Sequence, residues 1–83
     1  MKFIKYPFMT EKATMYVDDG NKLQFIVDIN AAKPQIVREF EKIYDVKVAD
    51  VNTMITSKGN KKAIITFTTK GTASKLASQF GIY

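Results

Sequence analysis

Neither cysteine nor histidine occurs anywhere in the 83 residues. Without cysteine there is no disulfide framework and no thiolate zinc site, and nothing points to an oxidising compartment. Without histidine as well, the commonest general base and the best nucleophile are both missing, and Ser57, Ser74 and Ser78 have no evident partner to activate them. Glycines are few and isolated, so no phosphate-cradling loop is present. Asp18-Asp19 ahead of Gly20 lacks the alternating acidic spacing of a calcium loop. Arg38 is the sole arginine and lies inside a helical pattern, which removes the phosphate-binding arginine loop of a small acyl-phosphate hydrolase. No run approaches the ~20 apolar residues of a membrane span. The start, MKFIKYPFM, is interrupted by Lys5 and Pro7 before it becomes a signal-peptide core. No catalytic residue, cofactor, metal or membrane insertion is therefore expected, and the chain reads as a soluble, cytosolic domain spanning 1–83.

Acid is scarce in one half of the chain. Residues 1–45 carry seven Lys or Arg and seven Asp or Glu, whereas 46–83 carry six Lys and only Asp50, so the net charge of +5 lies in the C-terminal part. There the segment VKVADVNTMITSKGNKKAIITFTT holds two β-rich runs joined by Ser57-Lys58-Gly59-Asn60, which predicts an antiparallel hairpin with Lys58, Lys61 and Lys62 at its turn. Such a concentrated positive feature suits a polyanion.

The remaining elements follow from periodicity. Residues 2–5 predict a short strand ended by Tyr6-Pro7. Thr10 is a candidate N-cap for a short helix over 11–17, with Glu11 in its first turn, and Asp18-Asp19-Gly20-Asn21 forms a turn. Lys22 to Ile29 alternates, with Leu23, Phe25, Val27 and Ile29 on one face and Lys22, Gln24, Ile26 and Asp28 on the other. Pro34 opens a helix whose apolar residues are Ile36, Val37, Phe40, Ile43 and Tyr44; Arg38, Glu39, Glu41 and Lys42 fall on the opposite side and read as a solvated surface. In the hairpin, Ala49, Val51, Thr53 and Ile55 share a face. Val46 and Val48 fall on the other, so the strand either bulges near Ala49 or packs apolar residues on both sides at its start. A last helix runs from Thr72 to Phe80 through Ala73, Leu76, Ala77 and Phe80, with Gly81 as its C-cap and Ile82 folding back. The order β-α-β-α-β-β-α predicts an α+β fold, an antiparallel sheet of about four strands covered by helices.

For nucleic acid, KKAIITFTT lacks the aromatic pattern of a base-stacking sheet, since Phe67 sits on the apolar face. Phosphate neutralisation by Lys58, Lys61 and Lys62 remains, with Asn52, Thr53 and Asn60 able to hydrogen-bond sugar or phosphate oxygens. The bland alternative makes these lysines solubilising charges. Tyr6 and Phe8 beside Pro7 either stack on a base or close the edge of the core.

Tyr6-Pro7, Thr10-Glu11-Lys12, NKLQFIVD at 21–28, KPQI at 33–36, VNTM at 51–54, KKA at 61–63 and the closing FGIY, in this order and spacing, resemble the universal ribosomal large-subunit protein family numbered twenty-three in its archaeal form. The resemblance implies a non-catalytic, cytoplasmic ribosomal protein that binds large-subunit rRNA beside the nascent-chain exit tunnel, among neighbouring ribosomal proteins. It also implies a docking face for the signal recognition particle and the protein-conducting channel. Carried over by position, it assigns Asn52, Thr53, Lys61 and Lys62 to RNA and Glu11 to factor docking, although an acid at Glu11 equally suits a helix N-terminus. The turn at 57–60 departs from bacterial members, whose long basic extension reaches into the tunnel. The competing expectation is a protein-interaction module without RNA, binding through Arg38, Glu39, Glu41 and Lys42.

Overall fold

The computed structural model describes residues 3–8, 17 and 20–79. Four strands, β1 (Ile4–Pro7), β2 (Lys22–Val27), β3 (Val48–Ile55) and β4 (Lys61–Phe67), and two helices, α1 (Lys33–Tyr44) and α2 (Thr72–Gln79), form an α+β fold. The sheet is antiparallel throughout with the spatial order β1-β2-β4-β3. The expected helix over 11–17 lies outside the described residues except for Val17, which is helical and buried. Phe80, Gly81 and Ile82, expected to finish the last helix, also lie outside them.

One face of the sheet builds the core. Leu23, Phe25 and Val27 of β2, Ala63, Ile65 and Phe67 of β4, Val51 and Ile4 are buried together with Ile36 and Phe40 of α1 and Ala73, Leu76 and Ala77 of α2. Phe40 lies at the centre, its ring 5.3 Å from Phe25, 5.6 Å from Phe67 and 4.7 Å from Tyr44. These separations suit edge-on and tilted ring packing, and each of the three buried phenylalanines contributes roughly 1.5–3 kcal/mol. Helix α1 is opened by Pro34, and the Ala32 N–H donates to Gln35 Oε1 at 2.9 Å; it closes with Asp45 in the left-handed region, whose N–H donates to the Glu41 carbonyl at 2.9 Å. Ile43 departs from the expected apolar face and is 47 % exposed. Ile36, Phe40 and Tyr44 set the stripe that meets the sheet, and Ile43 falls on its rim.

Two bulges decide which side chains face which way. Between Val48 and Asp50 the β3–β4 register shifts, so Val48 pairs with Phe67 and packs on the core while Ala49 is the exposed extra residue. Of the two possibilities left open by the sequence, the strand takes the bulge, and Ala49 does not share the core face with Val51. The β1–β2 register shifts likewise between Ile4 and Tyr6, opposite Val27 and Ile26. One extra residue, Lys5, puts Ile4 on the core face and turns Tyr6 to the other. The first strand thus runs two residues later than expected. Pro7 is tolerated within it because β1 is an edge strand and, by ladder alternation, the missing N–H of Pro7 would point away from β2. Ile29 is 49 % exposed rather than buried. The strand stops at Val27, and Asp28 turns the chain, its Oδ1 accepting the Asn30 N–H at 2.8 Å and its carbonyl the Ala31 N–H at 2.9 Å.

Two of the charges expected to be solvated on α1 are structural. Glu39 accepts the Phe3 N–H (2.9 Å to Oε2, 3.1 Å to Oε1) and the Ile4 N–H (2.8 Å to Oε2). Glu41 Oε2 accepts the Val48 N–H at 2.9 Å. Both carboxylates satisfy backbone donors at the starts of the two edge strands, where a ladder supplies no partner.

Candidate nucleic-acid interface

The turn at the hairpin tip is compact. Thr56 N–H donates to the Asn60 carbonyl at 2.7 Å, Gly59 N–H to the Thr56 carbonyl at 3.0 Å and Asn60 N–H to Thr56 Oγ1 at 3.2 Å. Gly59 has φ +83°, the left-handed conformation that ends a type I turn in a bulged hairpin and that glycine adopts without a steric penalty. This geometry leaves Ser57, Lys58, Gly59 and Asn60 exposed just beyond Lys61, where β4 is still paired with β2 and β3.

Cross-strand partners share a face, so the register sorts the candidate residues. Opposite the core, one row across the sheet runs Tyr6, Ile26, Lys62, Met54, and the next runs Gln24, Ile64, Asn52. Lys62 and Asn52 therefore stand on the same side, with Lys58 and Asn60 at its border. Thr53 and Lys61 do not. Thr53 pairs with buried Ala63 on the core face, and Lys61, at the start of β4, has its Nζ donating to the Ala31 carbonyl at 2.7 Å, ahead of α1. Glu11 lies outside the described residues.

The strand order adds something that the sequence did not reveal. β1 lies beside β2 and β2 beside β4, and residues of β1 and of the hairpin turn line one cleft. Tyr6, Pro7 and Phe8 form one wall of a cleft of about 500 Å³, Ile26 contributes to its lining, and the turn from Thr56 to Asn60 forms the other wall. Lys62 Nζ sits 4.9 Å from the Phe8 ring centroid, within cation–π range. Tyr6 is 51 % exposed. Among the described residues that line this cleft none is acidic. Tyr6 and Phe8 were visible as aromatic residues next to proline; their position opposite Lys58 depends on a long-range strand order that no local pattern encodes. Among the described residues no cluster of acidic side chains could hold a metal ion, and no helix is long and apolar enough to cross a membrane.

Fold and site together define a small basic α+β protein whose site chemistry is that of ammonium, amide and aromatic groups. The family model described as Ribosomal protein L23 matches residues 2–77. Curated relatives described as large ribosomal subunit protein uL23 include that of Halobacterium salinarum, 50 % identical over 80 residues that cover 96 % of this chain and 95 % of the relative. That of Methanococcoides burtonii is 46 % identical over 82 residues, 99 % of each chain, and that of Methanospirillum hungatei 43 % over 79 residues, 95 % of this chain and 96 % of the relative. The chain belongs to the ribosomal protein L23 family: it is a structural protein of the large ribosomal subunit and a component of the cytoplasmic ribosome in its archaeal form.

Proposed function

We propose that this protein binds large-subunit rRNA, near the exit of the nascent-polypeptide tunnel, through the hairpin tip and the sheet face that continues from it. The observation that carries this reading is the gathering of Lys58, Lys62, Asn52 and Asn60 on one side of the sheet, in a part of the chain where residues 51–83 contain no acid. Lysines neutralise phosphate, and the amides hydrogen-bond sugar and phosphate oxygens, which fixes register on the RNA by shape. Lys61 and Thr53 take structural places in this reading, because the Lys61 ammonium is engaged by the Ala31 carbonyl.

A salt titration of binding to transcribed large-subunit rRNA tests it. Log K should fall with log salt by about 0.7 to 0.9 per phosphate neutralised. Lys58→Ala and Lys62→Ala should each flatten the slope by about one unit, while Lys61→Ala leaves it nearly unchanged. Unchanged slopes for Lys58→Ala and Lys62→Ala would remove the hairpin from the interface.

The same subunit position would make this protein a transient docking site for the signal recognition particle and the protein-conducting channel, with Glu11 in the contact, as the family resemblance implies. Glu11→Ala should then weaken recruitment of the particle to purified ribosomes while the protein's own incorporation into subunits stays normal. Undiminished recruitment would remove Glu11 from the contact. The rival reading, an interaction module working through the α1 charges, is weakened by the commitment of Glu39 and Glu41 to backbone N–H groups.

A further inference from the structure

From the cleft between the end of β1 and the hairpin tip, we infer that this protein captures a single unstacked nucleobase of the RNA it binds, stacked on Tyr6 and held with its flanking phosphate between Lys58 and Lys62. The inference rests on the RNA-binding reading above and adds base recognition to it.

The cleft joins two kinds of surface that are rarely useful to each other except with a nucleotide. Its inner part is flat and apolar: the Tyr6 and Phe8 side chains, with Ile26 between the strands that carry them. Its rim is made of donors, the Lys58 ammonium and the polar groups of Ser57 and Asn60, with the Lys62 ammonium held over Phe8 at 4.9 Å. A base offers a π-face to the former and its phosphate an anion to the latter. A volume of about 500 Å³ lies inside the ~300–1,000 Å³ range of small-ligand sites. A purely apolar occupant would leave the lysines without use, and a duplex backbone would leave Tyr6 and Phe8 without use.

The placement of Tyr6 argues in the same direction. Had β1 paired without its irregularity, alternation would have put residues 4 and 6 on one face, and Tyr6 would have joined the core beside Ile4. The register shift at Lys5 instead brings Tyr6 to the lysine-bearing face, where half its surface remains open. RNA-binding proteins read unpaired positions in this way, splaying a base from loops or bulges onto an aromatic ring, and such stacking tolerates any base because each has a π-face. The sheet's own aromatic, Phe67, is buried in the core and takes no part. Of the two roles that the sequence left open for Tyr6 and Phe8, the stacking one is taken here.

The test uses the full chain on transcribed large-subunit rRNA, with dimethyl sulfate and carbodiimide probing of the Watson–Crick edges and hydroxyl-radical probing of the backbone. Wild-type protein should protect one unpaired base that becomes reactive again with Tyr6→Leu, a variant that keeps apolar bulk and removes the π-face at a half-exposed position. Backbone protection should persist. Affinity should drop roughly five- to a hundredfold, the range expected for one lost base–aromatic stack. An unchanged base pattern with affinity within about twofold overturns the base pocket and leaves phosphate binding intact; absence of any footprint by the wild type overturns the RNA reading itself. In assembled large subunits, Tyr6→p-benzoylphenylalanine should cross-link to a nucleotide. A cross-link to a protein would show the cleft to be a peptide site and overturn the inference.

Discussion

Asn21→Ala should destabilise the protein by about 3 kcal/mol, far more than an exposed turn residue normally contributes. Asn21 has φ 52°, in the left-handed region, and its side chain joins three elements from there. Nδ2 donates to the carbonyls of Phe67 (3.2 Å) and Thr69 (2.7 Å) at the end of β4, and Oδ1 accepts the Ala73 N–H (2.9 Å) in the first turn of α2. The Phe67 N–H in turn donates to the Asn21 carbonyl at 3.2 Å. Asn21 thus acts as a helix cap for α2 although it lies some fifty residues earlier in the chain, and it ties the end of β4 to the residue before β2. Each side-chain bond contributes about 1 kcal/mol net, a lost cap costs about 0.5–2, and alanine in the left-handed region costs about 1–2. Overlap among these and partial exposure bring the total to the stated value. For a domain of this size that is roughly 12–24 °C in Tm.

Two companion substitutions separate the causes. Asn21→Gly restores the backbone conformation and should recover about 1 kcal/mol of the loss. Asn21→Asp keeps an acceptor for the Ala73 N–H but sets a carboxylate against two carbonyls, so it should be no more stable than the glycine variant. Chemical denaturation of the three proteins decides the matter. A loss below about 1 kcal/mol for Asn21→Ala would mean that water replaces these bonds and that α2 docks by its apolar face alone.

The contrast between Asn21 and the residues around it shows where sequence patterns stop being informative. The strand at Lys22–Val27, the helix at Lys33–Tyr44 and the hairpin at Val48–Phe67 were legible because each announces itself locally, through alternation, 3.6-residue spacing or a turn cluster. Asn21 looked like one more turn residue, since its partners Phe67, Thr69 and Ala73 belong to the other end of the chain. Glu39 and Glu41 looked like solvent-facing charge for the same reason. A carboxylate that accepts a backbone N–H from a distant strand has the same helical position as one that faces water. The bulges at Lys5 and Ala49 were half-legible: misplaced Val46 and Val48 signalled the second, while nothing marked the first. Yet the first bulge matters more for the site, because it moves Tyr6 from the core face to the lysine face. Of the residues assigned to RNA by pattern, Lys58, Asn60, Lys62 and Asn52 converge on one side, and Lys61 and Thr53 are turned from them by the two-residue period of the strands. Adjacent residues in a strand cannot both serve one flat partner.

Glu39→Ala should cost about 3 kcal/mol and should act mainly on β1. The Glu39 carboxylate takes up the N–H groups of Phe3 and Ile4, two donors at the start of an edge strand, and Ile4 is 2 % exposed. A hydrogen bond to a charged acceptor contributes about 1.5–3 kcal/mol, and the partly buried setting puts these two at the lower end. Removing the acceptor also leaves the Ile4 N–H in a place that water reaches poorly. Glu39→Gln, which keeps one acceptor oxygen, should lose about half as much. The loss need not be spread evenly, because an edge strand can detach while the rest of the sheet holds. Amide hydrogen exchange locates it. Phe8 N–H, bonded to the Gln24 carbonyl at 2.9 Å, and Asp28 N–H, bonded to the Phe3 carbonyl at 2.7 Å, report on β1. Both should lose protection in Glu39→Ala, while amides of the central strand β4 change less. Equal acceleration everywhere would make β1 part of the global unfolding unit, and no change at either amide would reduce Glu39 to the solvated charge that the sequence suggested. Because β1 carries Tyr6 and Phe8, its loosening also removes one wall of the cleft. Glu39→Ala should therefore weaken the base protection assigned to Tyr6 without altering the salt slope set by Lys58 and Lys62, which separates preorganisation of the pocket from the charge that attracts RNA to it.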